Sequence, residues 1–228
     1  MPDVTRRGQM RILLATAWQY RRAGWRDAVQ VQLRWISCPL WEVERRVPLS
    51  GRILEVGCGR GLLSAYLASA AHAREVVGVD VDEAKILTAA RVGEVVRRSG
   101  ARVRFERCTR TVLPEGPFDA VVFAEMLYLL EPSERRAVIE RAVDRLSNDA
   151  TVVVKEVDAA PRWKDLVNRF GTWVDMRVLR NLEGDTVVNV GPDFYEDLLG
   201  GLGFTCTTTR LDRGYPFAHF VVVGRRVG

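Results

Sequence analysis

Short apolar runs alternate along this chain with longer stretches of mixed polar and apolar residues. That rhythm predicts strands separated by helices, which is how an α/β layer domain is written in sequence. Arg52 to Val56, Glu75 to Val79, Arg102 to Glu106, Asp119 to Phe123 and Thr151 to Val157 read as strands. The fourth is apolar after its first residue, as expected of a parallel strand covered on both faces. Helices are predicted over Leu62 to Ala73, Glu83 to Arg98, Pro132 to about Leu146 and Asp193 to Leu199. Asp82 suits the N-cap of the second, Ser99-Gly100 its stop, and Pro192 the start of the last. Thr205 to Leu211 and His219 to Arg225 read as a closing strand pair joined by Asp212-Arg-Gly-Tyr-Pro-Phe-Ala218. Ahead of the first strand, residues 9–31 read as a helix and 33–47 as a less regular helical segment broken near Pro39. Residues 161–180 read as a helical insertion.

Between the first strand and its helix lies Glu55-Val-Gly-Cys-Gly-Arg-Gly61. Glycines permit a sharp turn and a close approach of backbone to ligand. The next strand ends at Asp80, 19 residues after Gly61. Strand, glycine turn, helix, strand, acid is how a doubly wound domain holds an adenosine-containing cofactor, with the acid accepting from the ribose hydroxyls. A dinucleotide fingerprint needs G-x-G-x-x-G, but Gly57, Gly59 and Gly61 read G-x-G-x-G and Leu62 follows. An acid at Glu55 opposes pyrophosphate and suits a cofactor with a cationic amino-acid end.

The E-x-G-x-G-x-G run resembles the first motif of the class I, Rossmann-like S-adenosylmethionine-dependent methyltransferases, and the resemblance extends from about Gly51 to Arg226. It implies a doubly wound, mostly parallel seven-stranded sheet of order 3-2-1-4-5-7-6, with strand seven antiparallel. It also implies S-adenosylmethionine as methyl donor and S-adenosylhomocysteine as product. On this resemblance Glu55, Gly57, Cys58, Gly59 and Gly61 form the cofactor turn, Asp80 holds the ribose and Val81 packs on adenine. Ala124-Glu-Met-Leu-Tyr-Leu-Leu130 resembles the stretch that meets the methionine portion, which adds Ala124 and Glu125. One departure concerns the acid that many members place after the third strand to meet the adenine amino group. That position falls here on Thr109, or on Cys108 with a one-residue slip, and a hydroxyl is the weaker acceptor.

The chemistry expected is in-line transfer of a methyl group to an aligned nucleophile, with base help only where the acceptor must lose a proton. Glu125, two residues past the fourth strand, is the candidate base, its apolar neighbours Met126 and Leu127 raising its pKa. Tyr128 and His219 are further catalytic candidates. Trp18, Trp25, Tyr128, Glu156, Trp173 and Tyr215 are candidate substrate contacts.

Charge and tryptophan are segregated. The net charge of +5 resides in residues 1–50, which hold nine arginines and four acids, whereas residues 51–228 hold 25 bases and 25 acids. No tryptophan occurs between residues 42 and 162. Residues 1–50 therefore read as a basic, Trp-rich lid or substrate segment. Residues 51–228 read as the cofactor domain, with the insertion at about 158–191. Arginines beside tryptophans suit an apolar acceptor bearing an anionic group, or a peripheral membrane contact. The expected acceptor is small, largely apolar, lipid-like or a secondary metabolite, and oxygen is the expected nucleophile. An RNA methyltransferase docking through the basic front, and a non-catalytic scaffold, are the competing readings. Nucleic acid is disfavoured, since no recognition module is evident and the sequence pairs that resemble base methylation are missing. The four cysteines are far apart and only two histidines are present, so no metal site is expected. No apolar run has membrane-spanning length, and buried thiols with no leader suit a cytoplasmic protein. A homodimer is compatible with the sequence, which does not specify the assembly.

Overall fold

The structure, a computed structural model, describes Tyr20, residues 38–109, 111–158, 190–211 and 218–226. Apart from Tyr20, the expected front helix over 9–31 lies outside the described residues, as do Trp18, Trp25, Trp173, Tyr215 and nearly all of the insertion.

The helices and strands follow in the order α1 (Leu40–Glu44), β1 (Gly51–Val56), α2 (Leu62–Ala70), β2 (Arg74–Asp80), α3 (Glu83–Arg97), β3 (Arg102–Arg107) and β4 (Phe118–Ala124). A 3-10 turn at Leu127–Leu129 leads to α4 (Pro132–Val143), β5 (Leu146–Val157), α5 (Pro192–Gly201), β6 (Phe204–Arg210) and β7 (His219–Arg226). The strands form one sheet of order β3-β2-β1-β4-β5-β7-β6. β1 through β5 pair in parallel, and β7 runs antiparallel to both β5 and β6. This is the class I methyltransferase order that the resemblance implied. Chain order reverses between β1 and β4, so the crevice beyond their C-terminal ends is the topological switch point where such sheets bind ligands.

Alternation along each strand splits the core into two layers. Ile53, Val76, Val122, Val153 and Val221 pack on one face with Leu63 and Leu67 of α2 and Val92 and Val96 of α3. Leu54, Val77, Val121, Val154 and Val222 pack on the other with Ile139 of α4 and Tyr195 and Leu198 of α5. Burying each such aliphatic side chain contributes roughly 1.5–3 kcal/mol, so both faces resist any slip in register.

The element ends follow local chemistry. Asp82 caps α3 by accepting from the backbone N–H groups of Ala84 and Lys85 at 2.9 and 3.1 Å. α4 begins at Pro132 behind a reciprocal capping box between Glu131 and Glu134. It ends three residues before Leu146, where β5 begins. The expected helix therefore ran too far and the expected strand began too late. α2 likewise stops at Ala70, because Ala71 is already extended.

Residues 38–48 are fastened to the sheet by Arg74, which is fully buried. Its guanidinium donates from Nε to the Pro48 carbonyl (2.6 Å). One terminal nitrogen serves the Glu44 carboxylate (2.9 Å) and the Leu67 carbonyl (3.1 Å), and the other the Glu44 and Val47 carbonyls (3.3 and 2.9 Å). Those contacts use the whole donor set of an arginine. Cys38 and Cys58 are buried, but Cys108 and Cys206 are only partly so, which corrects the expectation of four buried thiols. Among the described residues no helix is long and apolar enough to cross a membrane.

Candidate functional site

The glycine turn is built from the ends of β1 and β2. The N–H groups of Gly57 and Cys58 both donate to the Val79 carbonyl, at 2.8 and 2.9 Å. Gly59 then turns left-handed, at φ 54°, and its N–H donates to Asp80 Oδ2 at 2.8 Å. A side chain added at Gly59 would meet no atom of the described residues within 4 Å. Open space beside a left-handed glycine turn at the switch point is the cradle expected for a ligand. Gly61, also left-handed, is the N-cap of α2.

Asp80 terminates β2 at the mouth of this turn. Its second oxygen accepts from the Asp82 N–H at 3.0 Å. Each carboxylate oxygen has two acceptor sites, so both retain capacity for ribose hydroxyls. Val81, next in sequence, is 43% exposed, an apolar surface beside the acid where an adenine face would lie.

Gly57 is required by its own backbone, which is left-handed at φ 76°, and by its neighbour in space. A Cβ there would lie 2.7 Å from Met126 Cγ. Glycine here both permits the left-handed backbone and lets the segment after β4 pack against the turn.

Glu55 is buried beneath α2, where its carboxylate accepts the Ser64 hydroxyl. The carboxylate thus ties β1 to α2, through Ser64. Cys58 is buried behind the turn, and burial, followed by the Glu55 and Asp80 carboxylates, pushes its thiol well up. Burial and Asp80 push the Cys108 thiol up to about 11, so both sulfurs are unreactive neighbours of the cradle. Cys108 donates its N–H to the Asp80 carbonyl at 3.0 Å. Thr109 is exposed, and its hydroxyl accepts from the N–H groups of Thr111 and Val112 at 3.3 and 3.0 Å. The threonine that replaces the family's acid thus organises its own turn.

The opposite wall is the exit of β4. Ala124 is buried, and Glu125 takes φ 54°, which is uncommon for a residue with a side chain. Its N–H donates to the Lys155 carbonyl at 2.9 Å, while its carboxylate pairs with the Lys155 ammonium. The expectation that apolar neighbours govern this acid is therefore corrected: a buried lysine lies against it. Tyr128 lies half-buried in the 3-10 turn, its carbonyl accepting from Arg135 at 3.4 Å.

Glu156 and His219 are placed differently from their sequence assignments. Glu156 is on the other face of β5, buried, and one oxygen accepts from the Met126 and Leu127 N–H groups at 3.2 and 2.9 Å. Its other oxygen is buried with no hydrogen-bond partner among the described residues. Burial, opposed by these hydrogen bonds and assisted by Glu125, pushes its carboxyl up to about 7. Glu156 thus braces the segment after β4 from behind in place of the substrate contact expected of it. His219 is 1% exposed, with Nδ1 at 3.0 Å from Lys155 Nζ and 3.6 Å from the Glu125 carboxylate. An imidazole so enclosed is poorly placed to remove a proton from a substrate in the crevice.

Three contributors escaped the sequence reading. Lys155 is fully buried at the end of an apolar strand. Cys38 reaches it from the front of the chain. Tyr20 is fully buried, and its hydroxyl donates to the Arg60 carbonyl inside the glycine turn at 2.8 Å. A lysine among valines was the available signal for the first; the other two carried none.

Residues 53–149 match the family model described as a methyltransferase domain. The match places a methyltransferase domain at residues 53–149, and the sheet order is that of the class I methyltransferase fold. Among curated proteins, the ubiquinone biosynthesis O-methyltransferase of Hahella chejuensis is 40% identical over 89 residues, covering 37% of this chain and 35% of that protein. The enzyme of the same name from Pseudomonas paraeruginosa is 33% identical over 121 residues, covering 50% of this chain and 47% of that protein. The alignments therefore span less than half the length of these relatives. Among solved structures, magnesium protoporphyrin IX methyltransferase from Synechocystis PCC 6803 with bound SAH superimposes with a TM-score of 0.63 at 18% identity, covering 96% of this chain and 83% of that one. An O-methyltransferase family protein from Burkholderia thailandensis gives 0.68 at 14% identity, covering 89% and 60%.

Proposed function

We propose that this protein transfers the methyl group of S-adenosylmethionine to an oxygen of a small, largely apolar or lipid-like acceptor. The observation that carries this reading is the open, left-handed Gly59 turn joined to Asp80, with exposed Val81 beside it. These groups suit a ribose and an adenine face at the switch point of the sheet. When bound, the cofactor supplies an electrophilic methyl carbon. Asp80 would hold the ribose hydroxyls and Val81 the adenine. Glu125 would accept a hydrogen bond from the acceptor hydroxyl and take its proton as the oxygen becomes cationic. A carboxylate paired with an ammonium suffices for that, because a methylated oxygen that still carries its proton is a very strong acid.

The names of the relatives support the acceptor class, since ubiquinone biosynthesis and protoporphyrin enzymes act on apolar small molecules. Residues 1–50 and 158–191, with their tryptophans and arginines, are proposed to cover an acceptor with an apolar body and an anionic or hydroxyl head. Calorimetric titration with S-adenosylmethionine and S-adenosylhomocysteine tests the reading. Micromolar binding of both, followed by S-adenosylhomocysteine release with a phenolic or carboxylic acceptor bearing an apolar tail, is the expected result. Absence of binding by the intact chain would overturn it.

A further inference from the structure

Glu125, Lys155, His219 and Cys38 come from four separate parts of the chain and meet behind the wall of the crevice. β5 and β7 pair with Lys155 opposite Val221 and Val157 opposite His219. Lys155 and His219 are thus diagonal neighbours on one face of the sheet, within reach of each other. Glu125 enters from the exit of β4, which lies beside Lys155 in the register. Cys38 arrives from the segment locked down by Arg74.

A fully buried ammonium with no partners costs several kcal/mol. Here its three N–H groups have three neighbours: the Glu125 carboxylate, His219 Nδ1 and the Cys38 sulfur. Burial works against the charge, but Cys38 and Glu125 outweigh it and hold the ammonium above its ordinary range. An ammonium has no acceptor site, so the contact with His219 assigns the roles. Lys155 donates, Nδ1 accepts, and the imidazole proton sits on Nε2. Of the other described charged groups at this end of β5, Asp158 pairs with Arg210 at 2.7 Å, and Glu156 lies on the opposite face.

We propose that Lys155 is a positioning residue of the site, holding the Glu125 carboxylate against the strained exit of β4 and fixing His219 as a neutral Nε2–H imidazole, so that Glu125 and not His219 is presented to the acceptor. The exposures agree, since the Glu125 side chain is 15% exposed and that of His219 1%. The proposal rests on the methyl-transfer reading only for the identity of what Glu125 meets. The Lys155 network itself is independent of any ligand.

Nitrogen-detected NMR of the uniformly ¹⁵N-labelled full chain tests it directly, because the sequence contains only His72 and His219 and a His72→Gln variant assigns both. Between pH 6 and 8, His219 is expected to show an unprotonated Nδ1 and a protonated Nε2. Lys155→Met removes the donor, so the Nδ1 signal should shift and the ring should sample both tautomers. Glu125→Gln leaves the lysine in place and should move the same signal less. It also provides the reading should Lys155→Met not fold. A proton on Nδ1, an imidazolium at pH 7, or His219 signals indifferent to both substitutions would overturn the proposal. Failure of the parent chain to bind S-adenosylhomocysteine would instead sink the methyl-transfer reading and leave the network standing.

Discussion

Replacing Glu156 with Gln should change the pH dependence of stability in a defined direction. The buried carboxyl is raised from its ordinary value of 4.5 to about 7. In the unfolded chain it ionises near 4.5, whereas in the folded protein it stays protonated until about 7. A carboxyl raised on folding therefore destabilises the fold as pH climbs between those values, and the penalty is constant above them. At about 1.4 kcal/mol per unit, it amounts to roughly 3 kcal/mol at pH 8 and almost nothing at pH 4. Glutamine is neutral throughout, and its carbonyl oxygen can still accept from Met126 and Leu127. Burying its amide beside the position of the unpartnered oxygen adds a cost that does not vary with pH. Urea denaturation of parent and Glu156→Gln at pH 5 and pH 8 isolates the effect, because all other titrations cancel in the difference. The variant should gain about 2–3 kcal/mol relative to the parent on going from pH 5 to pH 8. A difference that is the same at both pH values would refute the reasoning, since the Glu156 proton would then not be linked to folding.

The remaining predictions concern the cradle and its support. Asp80→Ala should weaken S-adenosylhomocysteine binding about tenfold or more, through the lost ribose bonds and the freed Gly59 N–H; calorimetry reads this, and unchanged affinity would remove Asp80 from the cofactor site. Gly57→Ala should lower both affinity and thermal stability because its methyl group meets Met126 at 2.7 Å. Met126→Ala in the same chain should restore part of that loss, whereas a direct clash with the cofactor would leave affinity unrestored. Arg74→Met should cost about 3–5 kcal/mol, since it strands the buried Glu44 carboxylate and several carbonyls; denaturant midpoints measure it, and a loss under 1 kcal/mol would mean that residues 38–48 are held by apolar contacts alone.

Much of this protein is determined within stretches a few residues long. Alternation in Ile53-Leu54 and Val76-Val77 assigns each side chain to a layer, the Asp82 cap needs only the residues that follow it, and the glycine turn with Asp80 needs one strand, one helix and the next strand. Such features depend on local backbone sterics and on the two-residue period of a strand, and both are legible in sequence. The working wall of the site is decided by the tertiary structure. Glu125 and Lys155 are 30 residues apart, and Lys155 and His219 are 64 apart. Their meeting requires the register of β5 with β4 on one side and with antiparallel β7 on the other. Sequence marks Glu156 and Lys155 as opposite in direction, but only the packed layers decide that Lys155 backs the crevice while Glu156 braces the segment behind it. The same holds for Gly57, whose motif suggests a ligand while its neighbour in space is Met126. Pairing between distant strands is selected by the burial of both faces of the sheet at once, a property of the whole core that no short stretch of sequence carries.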